Sequence, residues 1–323
     1  MTDFRLFTRF SSLLLACVAV CIVWQPAFAC LWFYGTSVNG EAIRIGARGL
    51  TVYIDHLTHH SDETDWHAKR LEVEKTLQPD SDYKVRSDYA AILAHDGEYK
   101  KAIQILEEIE HAHPGEYVIA ANLGTAYELD GNDVKGLEWI RECLKRNPES
   151  HFGTEWLHEK ILEAKLEIAK DPNWLKTHSI LGMDFGGEPK PQMPLKWIEG
   201  RQAGAEPVIE ALEYQLHERL AFVKPPNPVV ADLIFDLANL LALTKSVEHS
   251  IAVYDLALKY QPLNADIVSQ RREYLNSIAI AAHAHDTLYS AVFYAIVGIL
   301  IFCLLSIWYQ IRKKRAAIKW STI

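Results

Sequence analysis

The residues best suited to chemistry are four histidines, His56, His59, His60 and His67, set among the carboxylates Asp55, Asp62, Glu63 and Asp65. Imidazole nitrogen with carboxylate oxygen is a ligand set for zinc or copper, and a chain that used it would handle a metal or cofactor with segment 55–67. Ser61-Asp62 has the form of a helix cap, which would interrupt a helix carrying His60 and His67 on one face. No C-x-x-C pair completes a site, so the cluster reads first as a polar surface turn and no cofactor is expected.

Other reaction chemistry finds less footing. The chain has no G-x-S-x-G, no H-E-x-x-H and no G-x-x-x-x-G-K phosphate loop, the patterns that hydrolases and nucleotide-binding enzymes need. Asp184-Phe185-Gly186 matches a kinase element, but the glycine-rich loop and catalytic-loop motif that would accompany it are missing. An enzyme is not expected. The run His151 to His158 holds two readings: Ser150 or Thr154 caps the following helix while Trp156 and Leu157 pack inward, or Trp156 or His158 faces a ligand as an anchor.

The elements that position these residues begin with the ends. Residues 1–29 have the form of a signal peptide: Arg5 and Arg9, an apolar stretch from Leu13 to Val23, and Ala27-Phe28-Ala29 as a cleavage signal. Cys30 would then begin the mature chain, where acylation is conceivable. From 287 to 311 no charged residue occurs, enough length for a transmembrane helix. The tail 312–323 carries Arg312, Lys313, Lys314, Arg315 and Lys319. Basic flanks stay on the cytoplasmic side, so the expected topology is a single pass with the C-terminus inside and the bulk extracytoplasmic, periplasmic in a Gram-negative cell.

Residues 30–286 retain 26 of the 33 basic residues and 41 of the 42 acidic ones, a formal charge of −15. That balance argues against nucleic acid and anionic lipid as ligands and favours partners with basic patches. Cys30 and Cys143 are the only cysteines in this part, too few for a disulfide framework. Cys143 reads as a packed thiol.

The strongest pattern is a period of 34 residues. Gly97 recurs as Gly131 and Pro114 as Pro148, with Tyr99, Ala102 and Leu106 in one unit and Leu123, Gly124 and Tyr127 in the next. Helices are expected over 82–95 and 98–112, then 116–129 and 132–146. Small residues at Ala90, Ala102, Gly124 and Gly136 would let the helices approach. A third unit, aligned on Pro262, has Lys245 in place of the turn glycine and Ser250 in place of the small alanine. Residues 65–77 would cap one end of the array and 265–282 the other. Residues 155–170 and 206–222 read as one more helix pair whose turn is enlarged into a Gly/Pro-rich insertion, 171–205, read as a folded flap. Segment 30–63 is irregular, with Leu50 to Ile54 fitting a strand or a helix start.

This pattern resembles the tetratricopeptide repeat (TPR), a helix, tight turn and antiparallel helix per unit. The resemblance implies an all-α, TPR-like helical-hairpin solenoid over residues 64–285, followed by one C-terminal transmembrane helix. It also implies that the first helix of each unit lines a concave groove, here with Ser87, Ala91, Ala94, Val118, Ala121, Asn122, Thr125, Glu128, Phe152, Glu155, Trp156 and Glu159. Family members that grip a C-terminal carboxylate use Lys, Asn and Arg at set places. Only Asn122 matches, so a carboxylate clamp is not expected. The expected function is a membrane-anchored scaffold whose groove binds another envelope or membrane protein, with no nucleic acid and no small-molecule substrate; the alternative is an envelope metal- or cofactor-handling factor.

Overall fold

A computed structural model describes residues 33–45, 50–58, 65–78, 80–198 and 204–320. The expected signal segment, Cys30, His59, His60, Asp62 and Glu63 lie outside these residues.

Two hairpins carry the repeat. The first joins α3 (Tyr83–His95) to α4 (Tyr99–Ala112), and the second joins α5 (Tyr117–Leu129) to α6 (Asp133–Arg146). Asp82 accepts from Lys84 N and Asn132 from Lys135 N; each cap satisfies an amide with no partner inside its helix. Gly97 and Gly131 sit at φ +80 and +84, where a Cβ is strained. Around Gly97, the amides of Asp96, Gly97 and Glu98 donate to the carbonyls of Ile92, Ala94 and Leu93. Around Gly131, those of Asp130, Gly131 and Asn132 donate to Ala126, Glu128 and Tyr127. Every donor and acceptor is displaced by the same 34 residues, so the period in the sequence is a period of backbone hydrogen bonding.

Within the second hairpin the backbones nearly touch. A Cβ on Gly124 would stand 2.6 Å from Ile140 Cγ1 and 3.3 Å from the Gly136 carbonyl oxygen. The first hairpin places Ala90 and Ala102, both fully buried, at the equivalent positions. Cys143 is buried against Ala120 and Ala121, its thiol donating to Ser150 Oγ at 3.3 Å. Before these hairpins, α2 (Trp66–Glu74) packs on α3, with Val73 and Leu77 against the first core cluster.

The third hairpin joins α10 (Pro228–Thr244) to α11 (Val247–Lys259). Lys245, at the glycine position, has φ −120, so this turn avoids the left-handed region. Ser246 instead caps α11 by accepting from His249 N. Buried Ser250 donates its hydroxyl to the Ala238 carbonyl at 2.7 Å, which satisfies the polar group its small-residue position would otherwise strand.

Between the second and third hairpins lie α7 (Ser150–Gly153), α8 (Glu155–Lys170), the flap and α9 (Ala205–Phe222). The described part of the flap is folded: Leu175, Ile180, Leu181, Met183 and Phe185 are buried in the main core.

Two features differ from expectation. The N-terminal segment forms a two-stranded antiparallel hairpin, β1 (Phe33–Thr36) and β2 (Ala42–Ile45), with Phe33 opposite Ile45 and Thr36 opposite Ala42. Thr36 N donates to Glu248 Oε2 at 3.0 Å, which pins the hairpin to α11. After it, α1 (Leu50–Thr58) buries Leu57, and Tyr53 donates to Glu213 at 2.6 Å. At the other end, the capping helix and the apolar stretch are one unbroken element, α12 (Ala265–Trp320). No proline interrupts it. Val268, Leu275 and Ala279 are buried on the domain, whereas Leu288 to Ile311 present exposed apolar side chains. Among the described residues it is the one helix long and apolar enough to cross a membrane.

Candidate functional site

The first helices of the two leading hairpins converge on one cavity of about 260 Å³. Ala91 and Ala94 come from α3, and Asn122, Thr125 and Glu128 from α5; all five were expected in the groove. Ser87 lies behind them, buried, accepting from Asn122 Nδ2 at 3.2 Å. The remaining candidates do not line the cavity. Val118 is exposed, Ala121 is packed inward, and Glu155 and Trp156 are buried. Glu159 pairs with Arg141 of α6 at 2.8 Å.

For the candidates from Phe152 onward the reason is a phase slip at α7. His151, Phe152 and Gly153 have φ of 49, 57 and 77, three successive residues in the left-handed region. The helix that follows begins at Glu155, so a 34-residue period carried past 148 puts the wrong residues in the groove. Non-glycine residues rarely adopt this conformation without being held. Here Thr154 Oγ1 donates to the His151 carbonyl at 2.7 Å, and His151 Nδ1 is paired with the Glu155 carboxylate. The turn leaves Phe152 88% exposed at the cavity rim, edge-on to Tyr214 at 5.6 Å.

Helix α9 closes the cavity from the other side. Expected as the second member of a pair with α8, it meets the cap of α8 and then reaches the ends of two further helices in successive turns. Gln215 reaches the Thr154 hydroxyl (3.3 Å), Arg219 reaches Glu128 at the end of α5 (2.6 and 3.2 Å), and Phe222 stacks on His95 at the end of α3 (4.5 Å). The apolar stripe of α9, Val208, Leu212, Leu216 and Leu220, is buried in the main core. Tyr214, Gln215, Glu218, Arg219 and Phe222, which face the cavity, escaped the sequence reading. Their spacing of three and four was a usable signal: a second, polar face on a helix whose other face is apolar.

The wall is held by a charged cluster. Glu128 accepts from His158 Nε2 at 2.7 Å, from Lys165 at 3.0 Å and from Arg219; His158 Nδ1 contacts Glu155 at 3.1 Å. Burial works to raise the Glu128 carboxyl, but Arg219, His158 and Lys165 overcome it and hold it well below the carboxylate range. Burial likewise opposes ionisation of Glu155, yet hydrogen bonds from His151 and His158 hold it at about 2. Burial disfavours the His158 imidazolium, and its two carboxylate partners reverse that and raise its pKa; the Glu155 hydrogen bond raises that of His151. Both ring nitrogens of His158 are thus engaged. What faces an incoming group is the Thr125 hydroxyl and the Tyr214 and Phe222 rings.

The described histidines of the His-rich segment have partners of their own. His67 lies 3.3 Å from Asp96, and His56 stacks on His217 at 5.5 Å. Among the described residues no group of three or more histidine, cysteine or carboxylate side chains is arranged to hold a metal ion.

Fold and site together define an all-α, TPR-like protein: repeated antiparallel helix hairpins with a cavity on their first helices. No protein-family model matches the chain, and no curated protein matches it. Among solved structures it matches the crystal structure of a thermophilic TPR protein from Thermus thermophilus. That match has 13% identity and a TM-score of 0.33, over 70% of this chain and 99% of that one. So slight a likeness carries no argument, and the assignment rests on the repeated hydrogen bonds and hairpin packing.

Proposed function

We propose that the protein is a membrane-anchored, extracytoplasmic scaffold that docks another envelope protein on the concave face. The observation that carries this reading is the convergence of Ala91, Ala94, Asn122, Thr125 and Glu128 on one cavity, with Phe152 held out at its rim by a strained turn. An exposed aromatic beside a polar recess is the usual anatomy of a binding hot spot. Because α9 already covers much of the concave face, the partner contacts the rim and inserts a side chain; it does not lay a whole helix along the groove. Anchoring by α12 with the domain outside, after removal of residues 1–29, would raise the effective concentration of any neighbouring membrane protein. The role is binding, not catalysis.

The test is in-cell cross-linking and pull-down of the full-length protein beside a Thr125→Arg, Phe152→Glu variant. A dominant partner lost from the variant supports the reading. An identical partner list from both forms refutes docking at this face.

A further inference from the structure

A second cavity, of about 940 Å³, lies between the flap, α10 and the start of α12. Its floor is unusual: Asp232 and Asp236, four residues apart on one face of α10, are 6% and 2% exposed. Two carboxyl groups offer many acceptor positions, and buried acceptors are nearly always satisfied. Here Asp232 receives one hydrogen bond, from Ile180 N at 2.9 Å, and the sealed Oδ2 of Asp236 has no partner among the described residues.

The nearest cation does not fill the gap. Arg271 is buried, but its Nε donates to the Glu188 carbonyl (3.2 Å), Nη1 to Asn239 Oδ1 (2.7 Å), and Nη2 to the carbonyls of Phe185 (3.1 Å) and Gly186. The Asp184-Phe185-Gly186 run is therefore a clamp on Arg271, not a catalytic element. Behind the pair stands Tyr254 of α11, which donates to Asn239. Lys176, His178 and Asp184 of the flap and Asp266 of α12 line the rest of the cavity. Apolar wall comes from Phe235 and from Leu263, which is 37% exposed.

A cavity whose deepest groups are under-donated carboxyls, with apolar sides, matches a cation on an aliphatic stem. Among the described residues no group of carboxylates and imidazoles is arranged to hold a metal ion, which leaves an organic cation as the fitting partner. We propose that this cavity binds a protonated alkylamine, its ammonium ion-paired with Asp232 and Asp236 and its methylenes against Phe235 and Leu263. The amine is a free small molecule or the lysine side chain of a partner protein. Burial raises Asp232 to about 7, and burial, reinforced by the Asp232 charge, pushes Asp236 well above the ordinary carboxylate range. Ammonium binding favours the ionised pair and therefore expels a proton from it.

The experiment is isothermal titration of the full-length chain in zwitterionic nanodiscs with n-pentylamine and with Nα-acetyl-lysine amide. It is run from pH 5 to 7 in two buffers of different ionisation heat. The expected result is release of one or more protons per amine, with affinity rising about tenfold or more per pH unit. Asp236→Asn should weaken binding at least tenfold and abolish part of the release, with the circular dichroism spectrum unchanged. Tighter binding of the lysine amide assigns the site to a partner's side chain; tighter binding of pentylamine assigns it to a free amine. Absence of binding by both probes, binding without proton release, or full affinity in Asp236→Asn would overturn the proposal. Proton release in the unmodified protein decides the matter even if the variant does not fold.

Discussion

Replacing Glu128 by glutamine puts the charged cluster to its hardest test. One carboxylate, 8% exposed, takes four hydrogen bonds from His158, Lys165 and Arg219. Breaking a buried ion pair from one side costs about 3–5 kcal/mol, because the remaining charge stays uncompensated. The amide keeps the volume and one acceptor, Lys165 keeps Asp133 at 2.5 Å, and His158 keeps Glu155. The low end, about 3 kcal/mol, is therefore expected. For a domain of this size that is a fall in melting temperature of roughly 6–12 °C, read by tryptophan fluorescence of the full-length protein in nanodiscs. The sign with pH follows from His158. A histidine raised in the folded state contributes stability that is complete below its unfolded value, near 6.5, and lost as pH climbs through the raised value. Glutamine removes one of the two carboxylates that raise it. The gap between the two proteins should thus be widest at pH 6 and narrower at pH 9, without vanishing, because Arg219 and Lys165 stay charged. A shift below about 2 °C at pH 6, or an equal shift at both pH values, would refute the reasoning.

Three further outcomes are expected. Gly124→Ala should cost about 1–3 kcal/mol by overpacking against Ile140, and a Gly124→Ala, Ile140→Val double variant should recover part of that loss in thermal melts. Phe152→Gly relieves left-handed strain of roughly 1–2 kcal/mol and returns about 0.5–1 kcal/mol as chain entropy. It should melt at or slightly above the parent temperature while capturing less partner; a destabilised variant would show that the ring packs. Carboxyls with raised pKa keep protons that the unfolded chain has lost, so Asp232 and Asp236 should lower stability as pH rises from about 4 through 7. Asp236→Asn should flatten that slope in melting curves recorded over the same range.

How much of this was legible depended on whether the determinant was local. The repeat showed itself because each turn needs a glycine at positive φ, and Gly97 and Gly131 advertise it. The β-hairpin also had a local sign that the reading passed over: Asn39-Gly40 is a strong hairpin dipeptide, and Gly40 has φ +83. Helix α10 carried another, two aspartates in a helix otherwise apolar on nearly every side, which marks acids that must be buried. The left-handed turn at α7 showed only in Gly153, because His151 and Phe152 are held there by Thr154 and Glu155 against their own preference. Nor could spacing tell that α9 turns its polar stripe onto the cap of α8 and the ends of α5 and α3, since that follows from where a long connection returns it.

The continuity of α12 fixes an azimuth. An α-helix advances about 100° per residue, and Arg271 ties the domain to this one near its start. In the anchored arrangement, the bearing of Phe152 around the membrane normal is therefore set by the count of residues between Ala279 and Leu288. One residue inserted there would swing the cavity about 100° to face a different neighbour, and four would bring it within about 40° of its old bearing. A partner held in the same bilayer would read that helix as a dial, and the length of a featureless stretch would become a determinant of who is met.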